Sequence, residues 1–561
     1  MSNLLQKASI ITTPTAYDTG KILSVKPVQY YGPELVTNGD FSNGINSWQG
    51  TDASSLLSVV LGELKIENGD GSSAGANSSI TTEIGKEYRI TFVSNKGTAV
   101  EGVFFGAGTS TNSVNLLDVT DNFDGIHTET FTATTTTTWF IAKTLSTVNG
   151  QFSYIDNVSV KEVINADFDF SRNSSATRVG SNGLIQDVAS NLPRIDYTGG
   201  VGSWKFEPQR TNVVKYSESF SNSYWVKATV SLSSNQIISP NGALDADKII
   251  ESSTNGLQQI YSDVITTTPS SDYVYSIFIK KGERSWVKVM TANNSGANFN
   301  VEDGVVGIVD SGITANIENY GNGWFKCSVS FNTSVSADRV YVRISTSNGV
   351  TSYQGDGSSG LYIFGAMLEQ GSFPTSYIPN NGESGGVTRL ADVANNAGSS
   401  DLINSTQGVL YAEISALAND GTSRHFSIND GSAANKVEIY FDSTSNEING
   451  HINVNGASSA IFSQVITSVS TFNKVLVKYK LNDFLFFVNG FKLGTDTSGV
   501  VFPNGTLNNL SFDKGNGTLD FYGNTKSVAV FKEALTDLEL ECLVSWMSFS
   551  DLGINFGYTV E

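Results

Sequence analysis

Apolar and polar residues alternate along most of this chain in short bursts, seldom longer than ten residues. Tyr88-Arg89-Ile90-Thr91-Phe92-Val93, Phe152-Ser153-Tyr154-Ile155-Asp156-Asn157-Val158-Ser159-Val160, Tyr273-Val274-Tyr275-Ser276-Ile277-Phe278-Ile279, Val340-Tyr341-Val342-Arg343-Ile344 and Lys474-Val475-Leu476-Val477-Lys478-Tyr479 are the clearest. A period near two puts one side of a pleated ribbon in a core and the other in water, so these runs predict strands. The five threonines from Thr134 to Thr138, β-branched and polar, read as part of a strand with one wet face. Phe484-Leu485-Phe486-Phe487-Val488 running into Asn489-Gly490 predicts a tight hairpin. Helical spacing is convincing once, where the capping box Thr536-Asp537-Leu538-Glu539 precedes Leu540, Leu543, Val544 and Met547 on one face.

One kind of opening occurs twice. Val36-Thr37-Asn38-Gly39-Asp40-Phe41 leads to Trp48, and Val214-Lys215-Tyr216-Ser217-Glu218-Ser219-Phe220 leads to Trp225. Each is a strand-like run, a polar turn and a Trp that re-enters an apolar layer, followed by more than a hundred residues of short strands. The expected fold is all-β: tandem β-sandwich or jelly-roll modules with an N-terminal extended arm and one short C-terminal helix. The boundaries read as an arm over 1–33, a first module over 34–164, a connector over 165–210, a second module over 211–380, a connector over 381–399 and a third sandwich over 400–561. Pro14, Pro27 and Pro33 give the arm its extended character. Val387-Thr388-Arg389-Leu390 in the second connector echoes Ala176-Thr177-Arg178-Val179 in the first.

Composition sharpens this reading. With 54 Gly against 10 Pro, tight turns between strands dominate. A net charge of −20 repels a phosphate backbone and an anionic bilayer, so neither nucleic acid nor membrane insertion is expected. Two cysteines, Cys327 and Cys542, stand far apart and form no metal-binding or redox pair by spacing. The beginning of the chain lacks the pattern of a signal peptide. The expectation is therefore folding in a cytoplasm by a chain with the composition of a surface adhesin, and a virus particle, assembled in a host and working outside it, reconciles the two.

The residues also resemble known families. Residues 34–164 resemble carbohydrate-binding jelly rolls through Asn38-Gly39-Asp40-Phe41, Trp48 and Ile155-Asp156-Asn157-Val158. Residues 400–545 are similar to concanavalin A-like, laminin-G-type sandwiches through Phe487-Val488-Asn489-Gly490 and the closing run from Val528 to Glu539. The connectors and Phe373-Pro374-Thr375-Ser376-Tyr377-Ile378-Pro379 are similar to those of bacteriophage tail- or head-fibre proteins, especially of phages of marine or gut Bacteroidetes-type hosts. The resemblance implies a virion exterior protein that docks other virion proteins through its arm, assembles as a homotrimer or homodimer and presents its modules to host-surface glycans. A capsid decoration protein and a polysaccharide depolymerase are the alternatives.

Candidate chemistry is sparse. His127, His425 and His451 show no ligand spacing, and no nucleophile turn accompanies them, so no catalytic residue is assigned. The carboxylate cluster that hydrolases of the sandwich family carry within one strand is missing from residues 400–545. Trp48 and Trp225 are the candidate glycan-stacking residues. In jelly rolls of the resembled type a structural calcium sits between the first and last strands, which points to Asp40 and Asp156, although Ser42 stands where those families often carry an acid.

Overall fold

The chain leaves one unit after Lys26 and returns to it at Ala166; Pro27–Asn165 form a unit of their own. This is seen in a computed structural model that describes residues 4–26, 30–121, 124–292 and 295–545. At the point of departure, the Ser24 N–H and hydroxyl both donate to Asp167, at 2.7 and 2.9 Å.

The inserted unit is a two-sheet antiparallel sandwich. One sheet runs Leu117–Asp121, Val103–Gly108, Thr137–Thr144, Gly75–Thr81, Gln49–Gly50; the other runs Gly125–Thr132, Glu87–Asn95, Phe152–Ile164, Glu63–Asn68, Ser55–Val60. Leu64, Ile66, Ile90, Phe92, Phe105 and Phe140 fill the space between them. The second module repeats this strand order. One of its sheets runs Gln259–Ser262, Val340–Ser345, Trp286–Thr291, Gly296–Asn300, and the facing one Leu244–Glu251, Gly360–Gln370, Ser271–Lys281, Trp324–Thr333. Both are jelly rolls by connectivity. The run Thr134–Thr138 does not form one strand: a turn over 133–136 separates Gly125–Thr132 from Thr137–Thr144. The hydroxyls are taken up locally, as where Thr135 donates to the Thr137 carbonyl at 2.7 Å.

The repeated openings are one structural device. Asn38 and Tyr216 adopt positive φ, 59° and 52°. Their carbonyls accept the indole N–H of Trp48 at 3.3 Å and of Trp225 at 3.0 Å. Phe41 packs on Trp48 at 5.4 Å and Phe220 on Trp225 at 4.8 Å between ring centroids. Gly39 has to be glycine, because a Cβ there would fall 1.9 Å from the Val158 carbonyl oxygen. A second pair of equivalents supports the match: Tyr88 and Tyr273 accept the N–H of Glu83 and of Thr268, each five residues upstream, at 2.9 and 3.0 Å.

Trp48 is 3% and Trp225 1% exposed. Neither indole presents a face to a ligand, which corrects their assignment as glycan-stacking residues; each plugs a core and holds a left-handed turn. Trp225→Phe is expected to cost about 1–2 kcal/mol through the lost indole bond and volume, read by urea unfolding, and to leave ligand binding unchanged.

The third sandwich faces a five-stranded sheet against a larger one. The five strands are Ala457–Val465, Glu447–Val454, Lys436–Phe441, Arg424–Asn429 and Asn509–Ser511. The larger sheet has eight strands and draws on distant chain: Ile195–Asp196 and Ser203–Phe206 from the first connector extend it through Gly523–Phe531. The expected hairpin forms at Asn489 and Gly490, φ 49° and 89°. The expected helix spans Asp537–Ser545, with Thr536 and Glu539 bonded reciprocally; Met547 lies outside the described residues.

The N-terminal segment is not a free arm over 4–26. Leu4–Lys7 is a helical turn, and Ala8–Thr12 pairs antiparallel with the far end of Gly523–Phe531, Ile11 opposite Ala529. Leu4, Leu5, Ala8 and Ile11 are buried with Leu540, Leu543 and Val544 of the C-terminal helix. The physical reason is that the larger sheet's outer face, with Val409, Tyr411, Leu476 and Phe487, is apolar and needs a cover.

Candidate functional site

The connectors hold a cluster of charged side chains, and it is buried. Arg172, Arg194 and Arg389 are each 1% exposed. Arg172 meets Asp392 at 3.0 Å; Arg194 meets Glu207 at 2.6 Å and also Asp392; Arg389 meets Glu207 at 2.8 Å. The Ser376 N–H donates to Glu207 at 2.8 Å, and the Glu207 N–H donates to Asp392 at 2.8 Å. Burial alone would raise the Glu207 carboxyl, but the Arg389 and Arg194 charges hold it well below the ordinary range. The Phe373–Pro379 stretch supplies further ligands of this knot: Thr375 donates its N–H and hydroxyl to buried Glu369, and Arg389 donates to Ser376 at 2.9 Å. The Thr-Arg echo between connectors is not an equivalence of roles. Arg389 lies in the knot, whereas Arg178 reaches outward to the Tyr17 hydroxyl at 3.1 Å.

Beside the knot opens a cleft of about 850 Å³. Alternation builds one wall. In Ile313–Asn319 and Trp324–Thr333, Ile317, Cys327 and Val329 turn to the jelly-roll core, while Thr314, Asn316, Glu318, Lys326 and Ser330 turn to the cleft. Asp196, Lys205 and Glu207 of the first connector and Ser372–Ser376 form the floor. Ser415–Asp420, Phe472, Asn524 and Lys526 of the third sandwich close the other side.

The charges in this cleft are mostly paired. Lys205 binds Asp196 at 2.8 Å, and Asp420 takes Arg424 at 2.7 Å and the Ser372 hydroxyl at 2.9 Å. Asp196 is buried, which would raise its carboxyl, yet Lys205 brings it below the ordinary value. Lys326 is 4% exposed and donates to the Thr375 carbonyl; burial lowers its ammonium, against the pull of Glu318, Glu369 and Glu207. Lys526 sits 4.2 Å over the Phe472 ring, a cation–aromatic pair at the cleft wall. Of the acids named on the lining, Glu318 alone makes no hydrogen bond or ion pair among the described residues. Chemically this is a polar, hydroxyl- and amide-lined groove with the partly exposed rings of Tyr320 and Phe472 and the carboxylate of Glu318.

Asp40 and Asp156 lie close enough to affect one another. The Ser42 N–H and hydroxyl bind Asp40 and hold its carboxyl below the usual range. Burial raises Asp156, and the Asp40 charge adds to this. Asp156 Oδ2 accepts from Asn157 at 2.9 Å, while Oδ1 is buried without a hydrogen-bond partner. A depression of about 550 Å³ beside them is lined by Glu34, Asp40, Thr91 and Asn157. Among the described residues no three His, Cys, Asp or Glu side chains converge on one point. A cation here would therefore rest on two carboxylates and backbone oxygens.

No known protein family matches the chain, and no curated protein matches it. Solved structures do. A CBM4 protein shares 18% identity over 23% of this chain and 99% of its own, with a TM-score of 0.20. A heptameric SAP-like pentraxin from Limulus polyphemus shares 15% over 28% of this chain and 76% of its own, at 0.23. Domains LG4-5 of the mouse laminin α1 chain share 10% over 51% and 89%, at 0.18.

Proposed function

We propose that this chain is a structural protein of a tailed-phage virion, a tail or head fibre or spike subunit, that displays its sandwiches on the particle exterior and attaches to host-surface glycans through the cleft beside the buried knot. The cleft's lining carries the reading: hydroxyl and amide groups on both walls, with Phe472 and Lys526 together at one side, suit a polyhydroxylated ligand better than an apolar one. Repetition of the jelly roll within one chain, and of the chain within a dimer or trimer, would turn weak contacts into firm attachment. The role is binding without bond cleavage. Contact with other virion proteins falls to a surface other than Ala8–Thr12, which pairs with the third sandwich.

The test is binding of the full chain to host cells and to an array of neutral and acidic oligosaccharides. Phe472→Ala is expected to weaken saturable binding at least tenfold with an unchanged unfolding midpoint. Silence of the wild type on cells and array supports the decoration protein, and release of reducing sugar lost in Glu318→Gln supports the depolymerase.

A structural calcium between Asp40 and Asp156 is the second part of the proposal. Calcium at a hundredfold excess over its dissociation constant would stabilise the inserted unit by about 2.7 kcal/mol, and Asp156→Asn would abolish the gain. A melting curve indifferent to calcium and chelator rejects it.

A further inference from the structure

The inserted unit leaves one sheet edge bare. Ser55–Val60 ends the sheet that continues through Glu63–Asn68, and among the described residues no strand pairs with its outer side. None of its residues is buried; half-buried and exposed positions alternate along the whole strand. Leu56 and Val60, on the outer face, are 52% and 39% exposed, and Leu57 and Val59, on the inner face, are only partly covered by the core. Leu61 follows at φ 55° and is fully exposed, at a hairpin position where Asn or Gly ordinarily stands.

An unpaired edge is a template for another strand, and chains blunt it with charge, proline or a bulge. This strand has none of the three. Residues 55–62 carry no charged side chain and no proline, and the pairing with Glu63–Asn68 runs without a register shift. Several other edges are blunted. Gly125–Thr132 carries Glu129, Leu117–Asp121 carries Asp118, and Phe491–Asp496 carries Lys492 and Asp496. Val305–Val309 is apolar, but its pairing shifts register and Asn348 Oδ1 takes the Ile308 N–H at 2.8 Å. On Ala457–Val465 the Val500 N–H donates to the Ser459 hydroxyl at 2.8 Å.

The bare strand is complementary to itself. Leu57 and Val59 flank Ser58, and Leu56 and Val60 flank them in turn. A second copy laid antiparallel with Ser58 opposite Ser58 sets Leu56 opposite Val60 and Leu57 opposite Val59. Apolar residues then meet on both faces, and each contact is made twice, as a two-fold axis requires. With a net charge of −20, two copies repel one another over most of their surface. At this seam the nearest charges are Glu63, Lys65 and Glu67 on the adjacent strand. In the pair they stand about 14 Å from their counterparts, three strand spacings, which exceeds the ~8 Å Debye length at physiological salt.

We propose that two copies of this chain dimerise by pairing Ser55–Val60 antiparallel about a two-fold axis at Ser58, which joins their sheets into one. The pairing also closes the open side of each core over Leu57 and Val59. The strand is about 20 Å long, and one pair of strands covers less than the roughly 800 Å² per partner of a standard interface, so a dissociation constant of about micromolar or weaker is expected. The inference goes beyond the attachment reading and does not depend on it.

The full chain is followed by sedimentation over a concentration series that reaches about 1 mM. Wild type is expected to dimerise reversibly. Ser58→Lys, at an exposed position, should weaken dimerisation at least tenfold with an unchanged unfolding midpoint, because the axis sets two like charges face to face. Ser58→Asp should do the same. Mixed in equal amounts, the two variants should associate with each other at least as tightly as wild type, since opposite charges then face across the axis. A wild type that stays monomeric overturns the proposal, and so does an oligomer that Ser58→Lys and Ser58→Asp leave intact. A mixture that associates no better than either variant alone overturns the two-fold pairing. The cleft is tested separately by the array, and none of these outcomes bears on it.

Discussion

Glu207→Gln is expected to destabilise the larger unit by about 3–5 kcal/mol, the usual cost of removing one partner from a buried ion pair. The side chain keeps its shape but loses the charge that Arg194 and Arg389 share. Asp392 already serves Arg172 and Arg194, at zero side-chain exposure, and has no capacity to neutralise a third guanidinium. Urea unfolding of the full chain should resolve the effect, because Pro27–Asn165 is a separate compact unit. Its transition should stay in place while that of the rest moves to lower urea. Pairing the change with Arg389→Met should recover part of the loss, since it removes the charge that Glu207→Gln strands. A variant within 1 kcal/mol of wild type would mean that water reaches the knot.

The same knot sets an acid limit. The carboxyl of Glu207 is depressed in the folded chain, so the stability it contributes is complete above its ordinary value near 4.5 and is lost as pH falls through the folded value. Asp196 acts in the same sense. Glu369 acts oppositely: burial raises its carboxyl, so it weakens the fold when ionised and relieves that cost on protonation. Comparison of wild type with Glu207→Gln below pH 4.5 isolates the Glu207 part, and the gap between the two should close as pH falls.

The jelly rolls are legible in the sequence because each strand has one wet face. Lys65, Thr91 and Lys288 alternate with buried Ile66, Phe92 and Val289, and a period of two survives. Ala8–Thr12 carries no such signal. It is covered on both sides, with only Ser9 partly exposed, and a proline follows at 14, so five residues of strand read as extended lead. In the sequence the knot shows only as four arginines, Arg172, Arg178, Arg194 and Arg210, among turn formers. Its pairings span as many as 220 residues, and no local spacing encodes a contact of that range. The cleft is hidden for the same reason, since its walls come from residues near 200, 320, 375, 418 and 525. The tryptophans misled in another way. An aromatic beside a polar turn is what a sugar platform and a core plug have in common, and only burial separates them. His425 and His451, 26 positions apart, show no ligand spacing, yet both sit within hydrogen-bond reach of Glu438, because adjacent strands place them on either side of it.

Deleting residues 1–12 is the larger test, and it separates two views of the N-terminus. A docking arm can be removed without cost to the chain that carries it. A structural strand cannot. Leu4, Leu5, Ile10 and Ile11 are between 0% and 8% exposed, and at about 1.5–3 kcal/mol for each buried side chain their loss amounts to roughly 6–12 kcal/mol. That is comparable to the whole stability of an ordinary domain, about 5–15 kcal/mol. The deletion also bares the apolar flank of Leu540, Leu543 and Val544 and frees the edge of Gly523–Phe531, a ready template for pairing with other chains. The expected result is a larger unit that unfolds at room temperature or aggregates, beside a Pro27–Asn165 unit with its own unchanged melting transition. A milder variant fixes the cause: Ile10→Ala, at a position of 0% exposure, should cost about 2–5 kcal/mol by cavity formation and leave the chain soluble. If the deleted chain melts like wild type, the pairing of Ala8–Thr12 with Gly523–Phe531 is not what closes the sandwich, and the segment is again available to bind a partner.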